Sequence, residues 1–283
     1  MKSAKHRPIA LLTLLLAAAC APASATAVTP AQDCTDIRGT ESIIAGHRIV
    51  MVGELHGTKE MPAMFARLVC AALARGNAVA AGLELPAAER KPLAAFLASD
   101  GGESARRSFL ATPFWKQWLP DGRSSRAYVE MVESFRAMRR RGLPLTVFVL
   151  EEQAGAVSPS TSRDEIMAAN VKRRYQANPR ALVMTYSGNI HNMLNIPRYM
   201  PDLPAPMGFE LRDLKPVSIN LTASGGTAWN CQPECGIHAH PFGASAALVR
   251  DPALVLDAPS DAYSGHIDIG ATTASPPAAA TAP

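Results

Sequence analysis

Apolar runs of strand length alternate along this chain with stretches whose apolar residues recur at helical spacing. The runs "RIVMVG" (48–53), "AVAAGLE" (78–84), "PLTVFVL" (144–150), "ALVMTY" (181–186) and "PVSINL" (216–221) read as strands, followed by a shorter "GHIDI" at 265–269. Helical spacing over 61–75, 88–98, 124–141 and 162–177, with a short stretch near 207–213, supplies the intervening helices. Strands that are apolar on both faces need cover on both. The pattern therefore predicts an α/β fold, with a mainly parallel central sheet flanked by helices, in a single domain. Residues 99–123 fit neither period and read as a helical insertion that packs Phe114, Trp115 and Trp118 against one end of the sheet.

The two ends of the chain fall outside this pattern. "MKSAKH", the apolar "IALLTLLLAAA" and the small-residue "ASA" at 23–25 have the order of an export signal over residues 1–25. Its apolar stretch is too short to span a bilayer. "LLAAAC" also resembles a lipobox, which would place a lipid anchor on Cys20. Both readings put the protein outside the cytoplasm, in the periplasm or secreted, free or held by a lipid, with no transmembrane segment. The α/β domain then spans 26–270, and the Ala- and Pro-rich 271–283 reads as a flexible tail that buries too little apolar surface to order itself.

Loss of Lys2, Lys5 and Arg7 with the signal takes the formal charge from +4 to about +1, which gives no reason to expect nucleic acid as a partner. Four cysteines remain beyond residue 25: Cys34, Cys70, Cys231 and Cys235. In an oxidising compartment the close pair Cys231 and Cys235 reads as a disulfide, with Cys34 and Cys70 as the second pair. A Cys/His metal cluster with His238 and His240 is the weaker alternative, since the spacing is not that of a zinc finger.

The chemistry sits where the apolar runs stop. In open parallel sheets, ligands bind outside the carboxyl ends of the strands. The first strand delivers Glu54 and His56 there, the second Glu84, the third Glu151 and Glu152, and the fourth Asn189 and His191. Carboxylates and imidazoles are costly at the edge of a core unless something binds them. Gly53 and Gly188 each precede a histidine by three residues, and a glycine there lets the backbone turn back toward the rim. In "TSRDE", Ser162 and Glu165 make a capping-box pattern, whereas Arg163 opposes the helix dipole and so is expected to reach the rim, pairing with Glu84 or holding a substrate oxyanion.

"VGELHGTKEMP" (52–62), "GLELP" (82–86), "SRDEIMAANV" (162–171) and "YSGNIHNM" (186–193) together resemble, in order, the blocks of the erythromycin esterase/TIKI/ChaN-like superfamily. The resemblance implies three chemistries: ester hydrolysis by a histidine-activated water, peptide cleavage with a divalent metal, and haem or iron uptake. The E-x-H spacing of Glu54 and His56 is more similar to the ChaN-like branch than to the esterases. On the residues themselves, His56, Glu54, Glu84 and His191 could hold a divalent ion or activate a water directly, with Arg163, Asn189 and Glu151 meeting the substrate. A hydrolase acting on a small-molecule ester or a peptide is favoured, because four carboxylates around two histidines suit a hard or borderline divalent ion and a water better than a hydrophobic porphyrin. The alternative is a haem carrier using Tyr186, His191 or Met193, but aromatic residues are only 6% of the chain.

Overall fold

The computed structural model describes Met1, Cys34 and residues 36–116, 121–152, 161–196, 200–240, 249–257 and 262–279. The export signal, Cys20, Trp118 and residues 280–283 lie outside them. By its contacts the chain divides into residues 1–31 and a compact unit of residues 32–283. In chain order this unit contains α1 (Glu41–Gly46), β1 (Ile49–Glu54), α2 (Glu60–Ala74), β2 (Ala78–Pro86), α3 (Arg90–Ala98), α4 (Glu103–Phe109) and α5 (Arg126–Arg140). Then come β3 (Leu145–Glu151), α6 (Arg163–Ala177), β4 (Ala181–Gly188), α7 (Met207–Glu210) and β5 (Val217–Thr222). The last elements are β6 (Gly225–Cys231), β7 (Cys235–Ala239), β8 (Leu254–Leu256), β9 (Gly265–Asp268) and β10 (Ala271–Thr272).

Seven strands form the main sheet in the order β3-β2-β4-β1-β5-β9-β8. All neighbours are parallel except the edge pair β8 and β9. Every residue of β1 is buried, because its two faces enter different cores. Val50 and Val52 join the side that holds Phe65 of α2 and Phe135 of α5, while Ile49 and Met51 join Met167 and Val171 of α6. The two-sided apolar runs in the sequence have this cause. Strand order then does the functional work: β4 lies between β1 and β2, pairing Glu54 with Gly188 and Leu83 with Tyr186, and β3 flanks β2. The ends of four strands therefore lie side by side.

Three expectations change. The 99–123 insertion contains α4 and a 3-10 turn at Pro113–Lys116. Two of its aromatics pack on helices within the core that the sheet shares: Phe109 stacks on Phe96 of α3 at 4.7 Å, and Trp115 meets Tyr128 of α5 at 6.4 Å. A second sheet, β10-β6-β7, was not foreseen, because its hairpin is half exposed and carries no apolar run. Cys231 and Cys235 are register partners across that hairpin and lie at disulfide distance, as do Cys34 and Cys70. Finally, residues 271–279 are not a flexible tail, since Thr272, Ala274 and Ser275 are buried. Backbone hydrogen bonds to two loops supply the order that apolar burial could not. Among the described residues, no helix is long and apolar enough to cross a membrane.

Candidate active site

Glu54, the last residue of β1, is 3% exposed and accepts hydrogen bonds on both oxygens. The Tyr186 hydroxyl donates to Oε2 at 2.8 Å, and Nδ1 of His56 lies 2.5 Å from Oε1. His56 stands on the turn just beyond the strand. Its Nε2 is 3.7 Å from Glu84 Oε2, beyond hydrogen-bonding range, and among the described residues it makes no hydrogen bond. Gly188 leaves it that room: a Cβ there would lie 3.1 Å from Nε2. Gly188 has φ −51°, so the need is for space and not, as the sequence reading had it, for a sharp turn.

Glu84 is 1% exposed and is the hub of the cluster. Oε2 accepts from Gly188 N–H at 2.6 Å; Oε1 accepts from Arg163 at 2.6 Å and from Arg123 at 3.2 Å. Glu151 Oε1 receives the same two guanidiniums, at 2.6 Å and 3.3 Å. Burial alone would raise the Glu84 pKa, but the positive charges around it, His56 first and then Arg163 and Arg123, outweigh it and hold the carboxyl at about 2. Burial would likewise lower His56, yet the Glu54 and Glu84 carboxylates, with Asp121 beyond them, raise it to about 9.

His191 differs from His56. Arg163 Nη1 lies 2.9 Å from its Nε2, and arginine has only donors, so Nε2 accepts and Nδ1 carries the hydrogen toward Asp164 at 2.8 Å. Asp164 also accepts from Met207 N–H at 2.8 Å, tying the first turns of α6 and α7 together. Both ring nitrogens of His191 are thus engaged. Ser162 and Glu165 form the capping box that starts α6 and aims Arg163 at the rim. Asn189 packs over Gly53 and gives its carbonyl to Tyr263 at 3.1 Å; it takes no part in the hydrogen bonds around Glu84. Glu152 pairs outward with Arg90 at 3.0 Å.

Four participants escaped the sequence reading. Arg123 and its partner Asp121, 2.7 Å apart, lie at the end of the aperiodic insertion, where only the turn signal "DG" marked the spot. Asp164 lies in the acidic first turn of α6, which the helix dipole alone accounts for, and Tyr186 read as a haem ligand. Gly57 and Gly122 fix how the loops meet. Both have positive φ (84° and 94°), and a Cβ on Gly122 would lie 2.4 Å from Gly57 N.

The donor set does not fit a divalent ion. The carboxylate oxygens of Glu84 and the Nε2 lone pair of His191 are taken by two guanidiniums and a backbone amide. Among the described residues, no group of three or more His, Cys, Asp or Glu side chains is arranged to hold a metal. Haem fits no better: the Tyr186 hydroxyl is buried on Glu54, His191 is engaged at both nitrogens, and Met193 is buried.

No protein-family model matches the sequence, and no curated protein sequence matches it significantly. Among solved structures, an erythromycin esterase mutant in its open conformation matches with a TM-score of 0.60, at 15% identity, over 81% of this chain and 92% of its own. The chain shares the fold of that esterase. A Bacillus cereus protein matches at TM-score 0.55 and 11% identity, covering 87% of this chain and 95% of that one. A succinoglycan biosynthesis protein matches at 0.51 and 13%, covering 83% and 90%. At these identities the likeness is one of fold alone.

Proposed function

We propose that the chain is an exported hydrolase that cleaves an ester or peptide bond with a water activated by His56. The observation that carries this is the asymmetry of the His56 ring: Nδ1 is held on a buried carboxylate at 2.5 Å, while Nε2 is open above a glycine. That is the arrangement a general base requires. Neutral His56 takes a proton from water at Nε2 as the oxygen attacks the carbonyl carbon, and Glu54 and Glu84 stabilise the imidazolium that forms. The imidazolium then returns the proton to the leaving alcohol or amine as the tetrahedral intermediate collapses.

Arg163 suits the developing oxyanion. Three of its five N–H donors go to Glu84, Glu151 and His191, and two remain for an oxygen at the rim. His191, engaged on both nitrogens, orients Arg163. The two cysteine pairs at disulfide distance support export. The test is turnover on a panel of activated esters and fluorogenic peptides. His56→Ala should lower it by roughly 10²–10⁴ without unfolding the protein. A panel on which wild type and His56→Ala perform equally would sink the reading.

A further inference from the structure

The described C-terminal residues, 271–279, are poor in large apolar side chains, yet they form a closely bonded strap. It runs from β10 across the His56 turn to the start of α5. Gly57 C=O, one residue past His56, accepts from Ser275 N–H at 2.7 Å and from Trp229 N–H at 2.9 Å. Lys59 N–H donates to Thr273 C=O at 2.9 Å, and Thr273 N–H returns a bond to Glu60 at 2.8 Å. Thr58 and Ala274 form an antiparallel bridge, as do Ser125 and Pro277. On the far side, Arg126 N–H donates to Pro276 C=O at 2.9 Å, and Ala278 N–H to Ser124 C=O at 2.8 Å.

Ser275 stands at the crossing and is 1% exposed. Its backbone N–H serves the His56 turn, and its hydroxyl accepts from Ala127 N–H at 2.9 Å. A helix leaves its first N–H groups without internal partners. Ser125 caps Tyr128 N–H in the usual local way, at 3.3 Å. Ala127 is instead capped by a serine 148 residues away in sequence. One residue thus ties the turn that carries His56 to the helix start that follows Arg123.

We infer that Ser275 is a positioning residue, clamping the His56 turn and the Arg123 loop in the mutual placement that sets the ring of His56 on Glu54. The inference rests on His56 being the working group of the proposed hydrolase, but its test does not require a substrate. The probe is the Nδ1–H proton of His56, shared with Glu54, whose exchange with water can be read by NMR on the full chain. The Nδ1–H of His191, on Asp164 of α6, is the internal control, because no strap contact reaches it.

Ser275→Ala should speed exchange of the His56 proton at least about tenfold and leave that of His191 unchanged. Equal acceleration of both would mean a loss of general stability, and no change in either would mean no clamp. Each of these overturns the inference. If Ser275→Ala fails to fold, the same comparison on Ser275→Cys, which keeps the side-chain volume but replaces the hydroxyl that accepts from Ala127 with a weak sulfur acceptor, decides it. A wild-type protein inactive on every ester and peptide would defeat the hydrolase proposal and leave this result standing.

Discussion

Replacing Glu84 by glutamine removes one charge at nearly constant shape, and its cost can be worked from the surroundings. The carboxyl titrates at about 2 in the fold against 4.5 in an unfolded chain, a gap of 2.5 units. At 1.36 kcal/mol per unit, the ionised form contributes about 3 kcal/mol to stability. An independent count agrees, since breaking a buried ion pair by removing one partner costs roughly 3–5 kcal/mol. The glutamine NH2 must also face either Gly188 N–H or two guanidiniums, leaving donor against donor whichever way it is turned.

Urea titration of wild type and Glu84→Gln at pH 7 should therefore differ by about 3 kcal/mol. The sign follows from the depressed pKa: the contribution is present above 4.5 and is lost as pH falls through about 2. The gap between the two proteins should close over that window. A gap below about 0.5 kcal/mol at pH 7, or one that persists unchanged to pH 2, would refute the reasoning.

Other outcomes follow from the same geometry. Gly188→Ala would place a methyl 3.1 Å from His56 Nε2, so it should cut turnover at least about tenfold while Tm falls little. Because His56 is raised from 6.5 to about 9, its stabilising contribution, roughly 3 kcal/mol, is complete below 6.5 and is lost as pH rises through about 9. Alkaline titration of His56→Gln should lack that loss of stability. It shares the Glu84 attraction and does not add to the figure above. Thiol titration of the unreduced protein should find none of Cys34, Cys70, Cys231 and Cys235 free.

The sheet was legible because burial on both faces forces apolar runs, and the rim chemistry was legible because charge begins where those runs end. Glu54, Glu84, Glu151 and His191 are visible on that ground alone. What the runs do not encode is which strands are neighbours, so nothing in the sequence set β4 between β1 and β2 or made Glu84 the hub. Arg123 is hidden for another reason: it enters from an insertion without period, placed by a close approach of glycine backbones. The strap at 271–279 is hidden most fully. Its order comes from hydrogen-bond partners far away in sequence, the Glu60 carboxylate and Ala127 N–H among them, which composition cannot show, and low apolar content there misreads as flexibility.

The central claim is that His56, raised by Glu54 and Glu84, is the base. Its most direct test is the pH dependence of kcat/KM in wild type and in Glu84→Gln, on whichever ester or peptide the panel identifies. Activity in wild type should climb with pH to a plateau, with a midpoint near 9, and the midpoint should move down in Glu84→Gln, because a carboxylate that raises it is gone. A profile that is flat or falling between 6.5 and 9, or a midpoint that does not respond to Glu84→Gln, would contradict the account.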